Sequence, residues 1–211
     1  MKNGSWVALV TVLLGGLAIG GPAKAQFGTA ANPSLGADTT GGIKHTTLVL
    51  YPVSPFLVSA PGFDATQVGT LIAADYGWVK DRHNSFVVGG WAWLRDGSDI
   101  LELHGKYYFA PHWGVQAGLL GSTYGGGNPW DLFLTHHFTL GNPNARHAIQ
   151  MLAGAGIFYD PAGNVGTTGF SGFLQAETPL SGNWTLNFSY WYLQDKGLDG
   201  HRFGLGVGVR F

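Results

Sequence analysis

Residues 201–211, HRFGLGVGVRF, alternate without a break. Phe203, Leu205, Val207, Val209 and Phe211 form an apolar row, and Arg202, Gly204, Gly206, Gly208 and Arg210 form the other. A period of two places these rows on opposite faces of a strand. The same pattern recurs upstream. In 98–109, Leu101, Leu103, Gly105, Tyr107 and Phe109 oppose Glu102, His104, Lys106 and Tyr108. In 166–178, Phe170, Gly172, Leu174 and Ala176 oppose Ser171, Gln175 and Glu177. In 182–194, Trp184, Leu186, Phe188, Tyr190 and Tyr192 oppose Thr185, Asn187 and Ser189.

Read along the chain, the pattern predicts strands at about 69–80, 84–95, 98–109, 112–122, 129–140, 146–159, 166–178, 182–194 and 201–211. Each run is roughly 10–14 residues, longer than the usual soluble strand and suited to a tilted bilayer crossing. A weaker strand is predicted at 43–51. Segment 52–68, with Pro52, Pro55 and Pro61, reads as a long loop. A soluble sandwich would alternate too. Strand length, and aromatics at both ends of the apolar face, favour a lipid-facing wall. Bacterial barrels have even strand counts. The expected fold is therefore all-β, an antiparallel up-and-down transmembrane β-barrel of ten strands. Eight is the alternative if 69–80 lies outside the wall.

The start of the chain changes the picture. Lys2, the apolar run Trp6 to Ile19 and the small-x-small site Ala23-Lys24-Ala25 read as a secretory signal peptide cleaved after Ala25. The domain plan is then a signal at 1–25, a Gly-rich polar leader at 26–42 and a barrel at 43–211. Removing the first 25 residues takes Lys2 and Lys24 away. That leaves 9 basic against 12 acidic residues, a formal net charge of −3 where the whole chain carries −1. This mild balance argues against nucleic acid as a partner. There is no cysteine, hence no disulfide framework. No mature segment is apolar enough for a spanning helix. Only a closed barrel could then satisfy every backbone group in hydrocarbon.

The export signal, the long amphipathic hairpins and the terminal GLGVGVRF resemble small bacterial outer-membrane β-barrels, the broad group of the OmpA, OmpX and OmpW barrels. The resemblance spans the chain from about residue 69, and more weakly from 43. It implies the outer membrane of a Gram-negative envelope, with outer-membrane lipid and lipopolysaccharide around the wall. It also implies periplasmic chaperones and the barrel-assembly machinery as partners. That machinery would read Phe203, Leu205, Val207, Val209 and Phe211 as the assembly signal.

Placing the last strand's end in the periplasm makes 110–113, 141–146 and 178–183 periplasmic turns. It makes 96–98, 122–129, 160–166 and 194–200 external loops. Tyr107, Trp113, Phe138, Trp184 and Phe211 would form one aromatic girdle, and Trp130, Tyr159, Tyr190 and Tyr192 the other.

The inward face carries the candidate chemistry. Glu102, His104, Lys106, Asp131, His137, Gln150, Glu177, Asn187, Arg202 and Arg210 are expected to line the lumen. Opposite charges can pair there. The set reads either as a stabilising network or as the wall of a narrow, porin-like channel whose selectivity it sets. No cofactor is implied. A metal site is disfavoured: His136 and His137 point to opposite faces, and His104 and His137 lie two strands apart, roughly 10 Å. An enzyme is also disfavoured. Lipid A deacylase barrels carry His-x-Ser-Asn, and here His83-Asn84-Ser85 is followed by Phe86. A palmitoyl-transferase-like set, His201, Asp131 and Ser122, has no joining motif. Surface adhesion is the third class; Asp96, Asp99, Asp160, Asp195 and Asp199 would make the external end acidic.

Overall fold

A computed structural model describes residues 43–81, 84–95, 99–110, 112–122, 129–142, 148–161, 167–195 and 198–211. They form ten strands: β1 (Ile43–Ala60), β2 (Phe63–Asp81), β3 (Asn84–Leu94), β4 (Ile100–Tyr108), β5 (Trp113–Ser122), β6 (Trp130–Leu140), β7 (Ile149–Asp160), β8 (Thr167–Ser181), β9 (Trp184–Asp195) and β10 (Leu198–Arg210). Each pairs antiparallel with its sequence neighbours. β1 closes the ring on β10, from Thr47↔Arg210 to Ser59↔Asp199. Closure gives every strand two partners and removes the free sheet edges that hydrocarbon could not satisfy. An even count returns both ends of the barrel to one side, the terminal end. The hairpins β1–β2, β3–β4, β5–β6, β7–β8 and β9–β10 turn at the far end.

The alternation of the sequence becomes an inside-out protein. Leu50, Leu103, Leu119, Leu132, Leu134, Leu205 and Val207 lie exposed on the outer face, Leu205 at 62 %. A continuous apolar belt of this kind would be a liability in water and is what lipid requires. Tyr107, Trp113, Trp184 and Phe211 stand exposed at the terminal end. Trp130 packs against Tyr159 near the far end, with tilted rings whose centroids are 5.4 Å apart.

Three expectations need correction. First, 52–68 is not a loop. β1 runs on to Ala60 and β2 starts at Phe63, joined by a turn with Gly62 at φ 79°. β1 accommodates Pro52 with a bulge: one extra residue sits between Tyr51 and Ser54 opposite β2, and between Leu50 and Val53 opposite β10. Pro52 falls in that bulge, where no amide hydrogen is needed, and its carbonyl accepts a bond from the Thr70 hydroxyl (3.2 Å). Second, the segment 194–200 is mostly strand, because Leu198 pairs with Asp195 and Gly200 with Leu193. Third, 178–183 is mostly strand too. β8 runs on through Ser181, and its turn to β9 is made at Gly182, φ 57°. Residues 1–42, and with them the signal and leader expectations, lie outside the described residues.

Candidate functional site

The lumen is the site, and its two halves differ. Toward the far end it is packed with large apolar side chains. Leu71 pairs in register with Trp93, and Trp191 with Arg202, which in turn pairs with Phe56. Phe56 meets Trp93 edge-on at 5.8 Å and Trp191 at 6.3 Å. The Trp93 indole N–H donates to the carbonyl of Ser54 (2.9 Å), and the Ser54 hydroxyl donates to the carbonyl of Phe203 (2.7 Å). These bonds pin the β1 bulge against the packing. Leu120, Leu193, Phe158 and a T-shaped Phe133–Phe173 pair (5.1 Å) continue it round the wall. All but Phe56 are buried. Ten strands would leave a lumen wider than an eight-strand barrel's. Here aromatic side chains fill the difference.

Beside this packing lies a belt of ionisable groups. One register row runs Asp75 (β2), Gly89 (β3), His104 (β4), Gly118 (β5), Asp131 (β6). Neighbouring strands contribute glycine, so side chains two strands apart can meet. His104 Nε2 lies 3.0 Å from Asp75 Oδ1, and His104 Nδ1 lies 3.0 Å from Glu102 Oε1. Lys106 Nζ donates to Asp75 Oδ2 (2.9 Å), and Gln116 Nε2 to Glu102 Oε1 (3.4 Å). A methyl at Gly89 would strike the Asp75 carboxylate. One at Gly118 would strike Asp131 and press on Glu102 Oε1. Asp131 is 1 % exposed. Both His104 contacts become hydrogen bonds when both ring nitrogens carry hydrogen or a carboxyl does. The Arg202 guanidinium stacks over Trp91 at 3.7 Å, with the Trp191 ring at 5.6 Å, so this cation is held by aromatic faces.

The half nearer the termini is open. It holds a cavity of about 110 Å³, whose wall includes Asp75, His137, Gln150, Gln175 and Asn187. Arg210 and Glu177 form an ion pair in this half. The glycines of β10 serve here by their size: a Cβ at Gly204 or Gly206 would lie 2.8 Å from the Tyr51 ring, which occupies the space they leave.

Other candidates separate. His136 faces outward against Trp113 (4.3 Å) and Phe138 (5.8 Å), while His137 faces inward. His201 lies on the outer side of the wall, its Nδ1 2.9 Å from the Tyr190 hydroxyl. Asp131 lies inside, so these two are not brought together. His83 and Asp96 lie outside the described residues, as do the side chains of Ser85 and Ser122.

Asp75 was not anticipated. It continues the inward row Leu71, Ala73, Asp75, and a charged residue inside an otherwise apolar run is the signal that marks it. The inward tryptophans left no such signal. In β3, Trp91 and Trp93 alternate with Gly90, Ala92 and Leu94, so neither face is polar.

A closed antiparallel ring with lipid-compatible side chains outside and a polar belt inside is a membrane-spanning β-barrel of the outer-membrane type. No protein-family model and no curated protein matches the chain. Among solved structures it is similar to Ail, the attachment invasion locus protein of Yersinia pestis, in complex with a heparin analogue, sucrose octasulfate. That match has 10 % identity and a TM-score of 0.41, covering 80 % of this chain and 99 % of that one. Neisserial surface protein A matches at 12 % identity, TM-score 0.39, over 81 % and 99 %. The outer membrane protein OprG of Pseudomonas aeruginosa matches at 13 % identity, TM-score 0.35, over 82 % and 99 %.

Proposed function

We propose that this protein is a non-enzymatic outer-membrane barrel with a stoppered lumen: a stable wall element rather than an open pore. The observation that carries this reading is the packing of Trp91, Trp93, Trp191, Leu71 and Leu193 across the far half. A hydrated ion has no path between side chains so fully buried. The charges of the belt then act mainly on one another, as a polar core in place of an oily one. Refolded into a planar bilayer, the wild-type protein is expected to show no steady ion conductance. Stable conducting steps in the wild type would overturn the stoppered reading and favour the porin-like one.

In this reading the terminal end faces the periplasm and the outer face meets lipid and lipopolysaccharide. The β10 row Phe203, Leu205, Val207, Val209 and Phe211 is the segment read by periplasmic chaperones and the assembly machinery. Its support is geometric: Phe203, Leu205, Val207 and Phe211 are all exposed on the outer face. Phe211→Ala is expected to reduce the fraction of protein that resists SDS before boiling, with synthesis and export unchanged. An undiminished folded fraction in cell envelopes would remove the signal role.

A further inference from the structure

We infer that the cavity in the terminal half of the lumen is a binding site for a small, uncharged solute rich in hydroxyl or amide N–H donors. Four observations carry it. First, the cavity has the size for such a guest: about 110 Å³. An engineered cavity of roughly 150 Å³ holds one benzene, so a molecule near six non-hydrogen atoms is the upper limit here.

Second, the wall presents unused polar atoms. His137 is 6 % exposed and its ring lines the cavity, with neither nitrogen accessible from the open space, so it reports on the cavity rather than binding the guest. Asp75 keeps 27 % of its side chain accessible while both its oxygens are engaged by His104 and Lys106, so its carboxylate still offers acceptor capacity. Gln150 and Asn187 are already oriented: Gln150 Oε1 accepts from the Thr139 hydroxyl (2.7 Å), and Asn187 Nδ2 donates to Thr185 Oγ1 (2.8 Å). Each amide retains hydrogen-bonding groups beyond these bonds.

Third, the fixed charges come in pairs, Asp75 with Lys106 and Glu177 with Arg210. An ionic guest would shed its hydration and find every counter-charge already taken. A neutral guest has no such cost. Fourth, the far side is closed by the aromatic packing, so the cavity is blind and a guest enters and leaves by the terminal end. So small a guest makes few contacts, which sets the expected dissociation constant in the millimolar range.

The test uses the full chain refolded in lipid nanodiscs with isotope-labelled histidine. Glycerol is the probe, and sodium acetate and methylammonium chloride are charged comparators. Glycerol is expected to shift the His137 ring resonances saturably while His136, on the outer face, stays still. The charged probes should bind at least about tenfold more weakly. Val49→Phe, which fills the cavity from its wall without removing a polar group, should abolish the saturable shift. If Val49→Phe does not fold, Gln150→Leu and Gln175→Leu, which remove polar groups of the wall instead, should weaken the saturable shift. Three outcomes would overturn the inference: shifts linear in glycerol and identical in the variants, meaning a vestibule that holds only water; equal shifts at His136; or charged probes binding as well as glycerol.

Discussion

Trp91→Ala combined with Trp191→Ala is expected to turn a silent barrel into a conducting one. The two indoles do two things at once. They fill the far half of the lumen, and they hold the Arg202 guanidinium between them, 3.7 Å from one ring and 5.6 Å from the other. Replacing both leaves a void beside the charged belt and frees a cation that can then hydrate. A polar, roomy void fills with water, unlike an apolar one. The water would connect the terminal cavity to the far end. The wall itself should survive, because the ring of backbone hydrogen bonds does not depend on these side chains. Stability will fall: losing a buried Trp side chain costs about 3–5 kcal/mol in typical cores. Conductance is therefore to be read only on protein that keeps its heat-modifiable mobility on SDS gels. Single-channel recording before and after the substitution checks the result. Folded double variant without current would mean that the lumen is closed somewhere other than at this packing.

Lys106→Met is expected to destabilise the barrel by about 3–5 kcal/mol, the usual consequence of removing one partner from a buried ion pair. Asp75 would then face the lumen with His104 as its remaining partner, since Lys106 Nζ is the donor to its Oδ2. The loss should be mostly reversible by design. In Lys106→Met with Asp75→Asn, the asparagine still bonds His104 and no buried charge is left uncompensated. The double variant should recover roughly half or more of the loss, with a coupling of about 0.5–3 kcal/mol. Urea unfolding of protein refolded in lipid vesicles measures all four corners of the cycle. Additive losses would show that the pair is not coupled and that the belt is a set of separate groups.

Much of the barrel could be read from the chain because alternation is local. A strand's two faces follow from a period of two, and β4, β8, β9 and β10 carry that contrast plainly. The first half of β1 was legible at 43–51, but its second half was not. Pro52 and Pro55 are turn residues by habit; the bulge between Tyr51 and Ser54 makes room for Pro52, and Pro55 sits in register opposite Val68. The inward placement of Glu102, His104, Lys106, Asp131, His137 and Arg202 follows from the same parity.

What these residues touch did not follow from parity. The sequence by itself determined a run of amphipathic strands and an apolar outer face, while the count of ten rests on β1 closing on β10. Only the tertiary structure decided that Asp75 meets His104 over Gly89, that Arg202 rests on tryptophan rather than on a carboxylate, and that Tyr51 fills the space beside Gly204 and Gly206. The reason is physical. Alternation is a property of one strand and its two sides. Contacts across a lumen depend on register, on closure and on which intervening positions lack a side chain. None of these is encoded in any single strand.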